Sequence, residues 1–104
     1  MLSITDLGAN AGVARYALRG ALTIESAAAA FVEGLAELAK LARGGRCDFD
    51  CSGIDGGDST GLAVLIEWKA ESHRRGLQLS YANLPASLTR LARLSDVDSL
   101  LITA

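Results

Sequence analysis

Glycine residues divide this chain into short segments, and the apolar residues of successive segments alternate between a period of two and a period of about 3.6 residues. Leu2 to Leu7 and Val13 to Leu18 alternate as strands do, and the turn residues between them predict an N-terminal β-hairpin. After Gly20, the stretch from Glu25 to Arg43 is rich in alanine and has apolar residues at helical spacing. This stretch predicts a helix that ends at Gly44.

The middle of the chain combines a short strand with a glycine-rich turn. Arg46 to Asp50 has the length and apolar content of a strand, and the run Ser-Gly-Ile-Asp-Gly-Gly-Asp-Ser-Thr-Gly follows at residues 52–61. Good helix formers continue from Leu62 to Arg75. Asp58 or Ser59 is expected to cap this helix, because a short side-chain oxygen can accept a hydrogen bond from an unpaired helical N–H.

The last part of the chain repeats the alternation. Leu77 to Tyr81 predicts a strand, and the Asn-Leu-Pro sequence at residues 83–85 predicts the start of a third helix. Residues 99–103 are expected to add a last strand or to pack as coil. The order β-β-α-β-α-β-α predicts one domain over residues 1–104 with an α/β fold, in which helices pack mainly on one face of a mixed four- to five-stranded sheet.

The charge of the chain is small and evenly spread. Ten Lys and Arg residues oppose twelve Asp and Glu residues, which gives a net charge of −2 without the basic stripe that nucleic-acid binding requires. No apolar run approaches the roughly 20 residues of a membrane-spanning helix, and the N-terminus lacks the features of a signal peptide. The sequence therefore predicts a cytoplasmic protein with neither a nucleic-acid partner nor direct membrane insertion.

Residues that could support catalysis or bind a metal are poorly placed. Cys47 and Cys51 are expected to be reduced, buried thiols, and the single histidine, His73, leaves too few ligands for zinc. Ser59 precedes His73 by fourteen positions on one predicted helix, which is too far for a serine and its general base. We therefore expect no enzymatic activity, no metal and no cofactor.

The glycine-rich turn leaves two binding alternatives open. Its glycines and the helix N-terminus resemble a phosphate cradle, but the lysine that a Walker A loop has next to its Ser or Thr is missing, and Gly61 follows Thr60. A stand-alone nucleotide-binding domain is therefore only a minor alternative. Asp50, Asp55 and Asp58 could gather around a divalent ion, or they could simply face water.

Two features of the second helix indicate a protein partner. In one interpretation, Asp58, Ser59 and Thr60 do no more than cap the helix. In the other, Ser59 is also a docking or phosphorylation point. If Leu62 faces the sheet, Val64 and Trp68 lie on a flank, and a partly exposed tryptophan there suggests an interface. The alternative is that Trp68 closes the edge of the core.

The sequence from residue 47 to residue 101 resembles the STAS domain, a family that includes anti-sigma-factor antagonists and the MlaB-type members found in phospholipid ABC transporters. The most specific piece is Asp-Ser-Thr-Gly-Leu at residues 58–62, which matches the loop that precedes the second helix of the family. Asp50 and Ser52 also fit the preceding motif. The resemblance implies that Ser59 is the functional centre, framed by Asp58, Thr60 and Gly61, whether it is phosphorylated by an anti-sigma kinase or contacts an ATPase subunit.

The sequence departs from the family pattern at two places, and the first bears on the choice between these roles. Residues 20–23 read Gly-Ala-Leu-Thr and lack both acidic residues that antagonists carry there, and Gly57 stands where the family usually has an apolar residue. The resemblance therefore implies a non-enzymatic protein that docks on and regulates the ATPase subunit of a phospholipid-transporting ABC complex concerned with outer-membrane lipid asymmetry. Such a protein would lie at the inner membrane only through its partner. The alternative is an anti-sigma-factor antagonist controlled by phosphorylation of Ser59.

Overall fold

The computed structural model of the protein describes residues 1–102, which form a four-stranded sheet and four helices. In chain order the elements are β1 (Leu2–Asn10), β2 (Val13–Leu22), α1 (Ala27–Leu38), β3 (Arg46–Gly57), α2 (Ser59–Arg74), β4 (Gln78–Ala82), α3 (Ala86–Leu94) and α4 (Asp98–Ile102). The strand order is β1-β2-β3-β4, with β1 antiparallel to β2 and with β3 parallel to both of its neighbours. The predicted α/β class, the mixed sheet and the N-terminal hairpin are confirmed.

The helices pack against one face of the sheet. Along β2, Tyr16 and Leu18 are buried while Arg15 and Arg19 on the opposite face are exposed, as expected when side chains alternate across a strand. Helix α2 lies centrally in the helical layer and contacts α1, α3 and α4. The other face of the sheet is polar, and Ser80 of β4 is exposed there.

The centre of the core is a cluster of aromatic rings around Phe49 of β3. The ring centroids of Tyr16 and Trp68 each lie 5.4 Å from that of Phe49 in edge-to-face arrangements, and the centroid of Tyr81 lies 6.1 Å away. The indole N–H of Trp68 donates a hydrogen bond of 3.2 Å to the Phe31 carbonyl on α1. These contacts fix the rotation of α2 about its own axis.

Small residues on α1 make room for this tryptophan. Ala27, Ala30 and Gly34 are buried on the side of α1 that faces the core, and a methyl group added at Gly34 would overlap the indole of Trp68. A side chain as large as tryptophan can therefore lie between two helices only because the opposing helix has no side chain at that point.

Several predicted elements differ in extent or type from the observed ones. Helix α1, expected to end at Gly44, ends at Leu38 with Ala39 as its C-cap. The strand expected at Arg46 to Asp50 continues to Gly57, because residues 53–57 remain paired with the end of β2 through two register shifts. Residues 98–102 form helix α4 instead of a strand or coil, because Leu101 is buried against the α2 and β4 layer while β4 remains the edge of the sheet. Residue 103, the last of the segment expected to be strand or coil, lies outside the described residues.

Candidate partner-binding site at the start of helix α2

Asp58 fixes the turn between β3 and α2. One carboxylate oxygen accepts a hydrogen bond of 2.9 Å from the Gly61 N–H, so Asp58 is the N-cap of the helix. The other oxygen accepts a bond of 3.0 Å from the Ile24 N–H in the loop between β2 and α1. A single side chain therefore joins two loops that are 34 positions apart in the sequence.

Glycines on both sides of the cap allow close packing. A methyl group at Gly61 would overlap the carbonyl of Leu22 at the end of β2, so the first turn of α2 lies directly on that strand. A methyl group at Gly57 would meet a Leu88 methyl of α3 at 2.5 Å. Leu88 thus occupies the space into which a side chain at position 57 would project.

Ser59 is the first residue of α2 and is exposed. Its hydroxyl makes no hydrogen bond to the protein within residues 1–102, whereas Thr60 is half-buried and Gly61 is buried. The structure therefore brings the four predicted residues of this loop together in distinct positions, with Asp58 and Gly61 building the frame and Ser59 presented to solvent.

The electrostatics of the loop follow from the helix N-terminus. The N–H groups of Gly61 and Ile24 stabilise the Asp58 carboxylate and hold its pKa below the ordinary value of 3.8. The unpaired N–H groups at the start of α2 carry the positive end of the helix dipole. A negative group on Ser59 would thus be electrostatically favoured in the isolated domain.

The expected exposure of Val64 and Trp68 is wrong. Trp68 is 0% exposed and Val64 is 7% exposed, so neither side chain offers a surface to a partner in this structure. The buried face of α2 is centred on Leu65 and Trp68, because the space above Gly34 accepts the indole, and Ile66 is left half-buried.

A different set of residues surrounds Ser59 at the surface. Ser59, Ala63 and Glu67 are exposed and recur every four residues along α2, so they form one stripe. Ile24 is 70% exposed, and its backbone is bonded to Asp58 beside that stripe. We refer to Ile24, Ser59, Ala63 and Glu67 as the Ser59 surface. The inference from sequence missed Ile24, because an isolated apolar residue in a loop carries no periodic signal.

The other candidate groups lie apart from this surface. Cys47 and Cys51 are buried and reduced, and burial raises the pKa of each thiol to about 12. His73 lies near the other end of α2 from Ser59, on the same unbroken helix. Asp50 accepts hydrogen bonds from the Ser52 N–H and the Asn83 amide instead of facing Asp58.

None of the helices within residues 1–102 has the length and apolar character needed to cross a membrane. The same residues bring no three His, Cys, Asp or Glu side chains together in a metal-binding arrangement. The three aspartates considered for a divalent ion therefore do not form a cluster in this structure.

The fold is that of a small α/β domain that presents Ser59 at the start of its central helix. The sequence family described as "Mlab, STAS domain" matches residues 7–103, and the chain therefore belongs to the STAS domain family. A comparison with curated proteins finds no significant match.

Solved structures share the fold at low sequence identity. A Thermotoga maritima protein described as an anti-sigma factor antagonist has a TM-score of 0.75 and 18% identity over 98% of this chain and 84% of that one. The anti-sigma factor antagonist SpoIIAA in its unphosphorylated form has a TM-score of 0.62 and 10% identity over 88% and 83% of the two chains. The murine anion transporter Slc26a9 has a TM-score of 0.65 and 18% identity over 85% of this chain, which spans only 14% of the transporter.

Proposed function

We propose that this protein is a non-enzymatic regulatory subunit that docks through the Ser59 surface on the ATPase subunit of a phospholipid-transporting ABC complex. The observation that carries the proposal is the match of residues 7–103 to the MlaB-type STAS family. The exposed position of Ser59 at the start of α2 supports it, because that residue is available for direct contact. In this role the protein is cytoplasmic and lies at the inner membrane only through its partner.

The two hydrogen bonds of Asp58 suit a docking role. The Asp58 bonds to Ile24 and Gly61 hold the loop against α2, so binding loses little conformational freedom. A rigid domain alters an ATPase only if it contacts one conformation better than another. We therefore expect the protein to change the stability of the complex or its rate of ATP hydrolysis.

The alternative is an anti-sigma-factor antagonist that a kinase partner switches off by phosphorylating Ser59. The Ser59 hydroxyl makes no hydrogen bond to residues 1–102 and lies at a helix N-terminus, which favours this alternative, since the dipole would stabilise a phosphate there. The residues next to the site argue against it, because Ala21 and Thr23 offer no carboxylate to a kinase partner. A gain in mass of one phosphoryl group at Ser59, after incubation with the cognate kinase and ATP, would support the alternative.

The partner's identity tests the proposal. The tagged protein is recovered from detergent-solubilised cells of its own host, and the proteins that co-purify are identified by mass spectrometry. Recovery of an ATPase together with an integral-membrane permease supports the transporter role. Recovery of a soluble kinase without either transporter component would overturn the proposal in favour of the alternative.

A further inference from the structure

Strand β3 is irregular where it passes the second half of β2. The register between the two strands shifts twice there, as it does at a β-bulge. At the first shift, the consecutive residues Ser52 and Gly53 are both exposed, whereas Cys51 and Ile54 on either side of them are buried. A regular strand would alternate between the two faces of the sheet. The irregularity therefore brings an additional residue to the exposed surface.

A depression of about 310 Å³ lies at this point, on the face of the sheet that the helices leave open. Its volume is at the lower end of the range of about 300–1,000 Å³ that small-molecule sites occupy. Three residues of the lining have a small side chain or none, namely Ala17, Gly20 and Gly53. Within residues 1–102, the charged groups of the lining are the guanidinium of Arg19 and the carboxylates of Asp50 and Asp55.

Asp50 is oriented by its hydrogen bonds. One carboxylate oxygen, Oδ1, accepts a bond of 3.1 Å from the Asn83 amide and another of 3.0 Å from the Ser52 N–H. These bonds lower the pKa of Asp50 below its ordinary value of 3.8, and Arg15, which lies outside the lining, adds to the effect. Both N–H donors use the same oxygen, so the other oxygen is left for a ligand cation.

Arg19 and Asp55 supply the two other charges. Both side chains are exposed, and neither forms an ion pair with another side chain of residues 1–102. A methyl group added at Gly53 would lie 2.8 Å from Cγ of Arg19, so the missing side chain at position 53 gives the stem of Arg19 its place against the sheet. A guanidinium binds a carboxylate through two parallel N–H bonds, whereas Asp55 suits a cation.

We propose that this depression binds a free basic amino acid such as L-arginine, with the α-carboxylate at Arg19 and the two cationic groups at Asp50 and Asp55. A ligand with one negative and two positive groups reverses the charge pattern of the lining. The site is distinct from the Ser59 surface, because Ser59 belongs to the helical layer and Arg19 lies on the opposite face of the sheet.

The test compares L-arginine with agmatine, which lacks the carboxylate, and with L-norvaline, which lacks the guanidinium. Each compound is titrated into the isotope-labelled protein, and binding is followed through backbone amide shifts by NMR. L-arginine is expected to shift the amides of Arg19, Gly53 and Asp55 and to bind about tenfold more tightly than either analogue. Absence of L-arginine binding, or shifts confined to the Ser59 surface, would overturn the proposal. So would equal affinity for agmatine, which is the result expected if the site accepts an arginine side chain of another protein.

Variants locate the site. Arg19→Gln should remove the preference for L-arginine over agmatine, and Asp55→Asn should weaken L-arginine binding about tenfold. Asp48→Asn is the matched control, because it removes the same charge from β3 outside the lining and should leave binding unchanged. Ala17→Leu fills the depression and should weaken L-arginine binding at least about tenfold. Thermal unfolding first confirms that each variant is folded. Equal losses in Asp48→Asn and Asp55→Asn would contradict the proposal, as would unchanged binding by folded Ala17→Leu.

Discussion

The contact between Gly34 and Trp68 gives the sharpest test of how α2 is oriented. In the native protein the Trp68 indole fills the space above Gly34, and a methyl group there would overlap the ring. We predict that Gly34→Ala destabilises the native protein but stabilises the protein that also carries Trp68→Leu. Leucine lacks the ring atoms that reach Gly34, so the added methyl group no longer meets an obstacle.

The magnitudes follow from two opposing terms. Overpacking a fully buried indole costs about 1–3 kcal/mol, and replacing glycine by alanine within a helix gains about 1 kcal/mol. Gly34→Ala should therefore lower the free energy of unfolding of the native protein by up to about 2 kcal/mol. In the Trp68→Leu background the same change should raise it by about 1 kcal/mol. Trp68→Leu alone should cost less than the roughly 3–5 kcal/mol of truncation to alanine.

Urea unfolding followed by far-UV circular dichroism measures all four proteins, since the protein's single tryptophan is lost in two of them. The prediction is a sign reversal of the Gly34→Ala effect between the two backgrounds. An equal gain in stability in both backgrounds would show that the indole does not lie over Gly34. A negligible cost of Trp68→Leu alone would show that Trp68 is exposed.

Three further predictions follow from the buried and hydrogen-bonded groups. Cys47 and Cys51 should resist alkylation at about pH 8 in the folded protein and react in urea, because burial raises their pKa to about 12; rapid labelling without urea would contradict this. The pKa of the Asp58 carboxyl, measured by NMR, should lie below 3.8. The stabilisation of the loop by this carboxylate is therefore fully present above pH 3.8 and is lost as the pH falls through the lowered pKa. A titration midpoint above 3.8 would exclude the cap. Tyr81→Phe should cost about 1 kcal/mol in urea unfolding, because the Tyr81 hydroxyl donates a 2.7 Å bond to the Leu65 carbonyl; an unchanged midpoint would count against that bond.

Features with a local periodic signal were predictable from the sequence. The alternation in β1 and β2 predicted the hairpin, and the short polar side chains before a helical run limited the cap to Asp58 or Ser59, of which the structure has Asp58. The orientation of Trp68 was not predictable in this way, because it depends on Gly34 in another helix. The length of β3 likewise depends on its pairing with β2, so residues that read locally as a glycine-rich loop extend the strand.

The candidate site also contains some residues that a local motif predicts and others that depend on contacts between distant segments. Residues 58–61 were identified by a contiguous motif, and the structure holds them together at one helix N-terminus. Ile24 escaped detection because its contact with Asp58 joins positions 34 apart, and no pattern within either segment reports it. Sequence periodicity also predicted that Val64 lies on a flank of α2 that a partner could reach. In the structure, the rotation of α2 about its own axis buries this side chain.

Docking through the Ser59 surface is tested most directly by the affinity of the co-purified ATPase for the Ser59→Glu variant. Ser80→Glu, which adds the same charge on the polar face of the sheet, is the matched control. The Ser59→Glu domain alone should remain as stable as the native one, because a negative charge at a helix N-terminus is favourable. We predict that Ser59→Glu binds the ATPase at least about tenfold more weakly while Ser80→Glu binds normally. Native affinity and normal ATPase stimulation with Ser59→Glu would contradict docking through this loop.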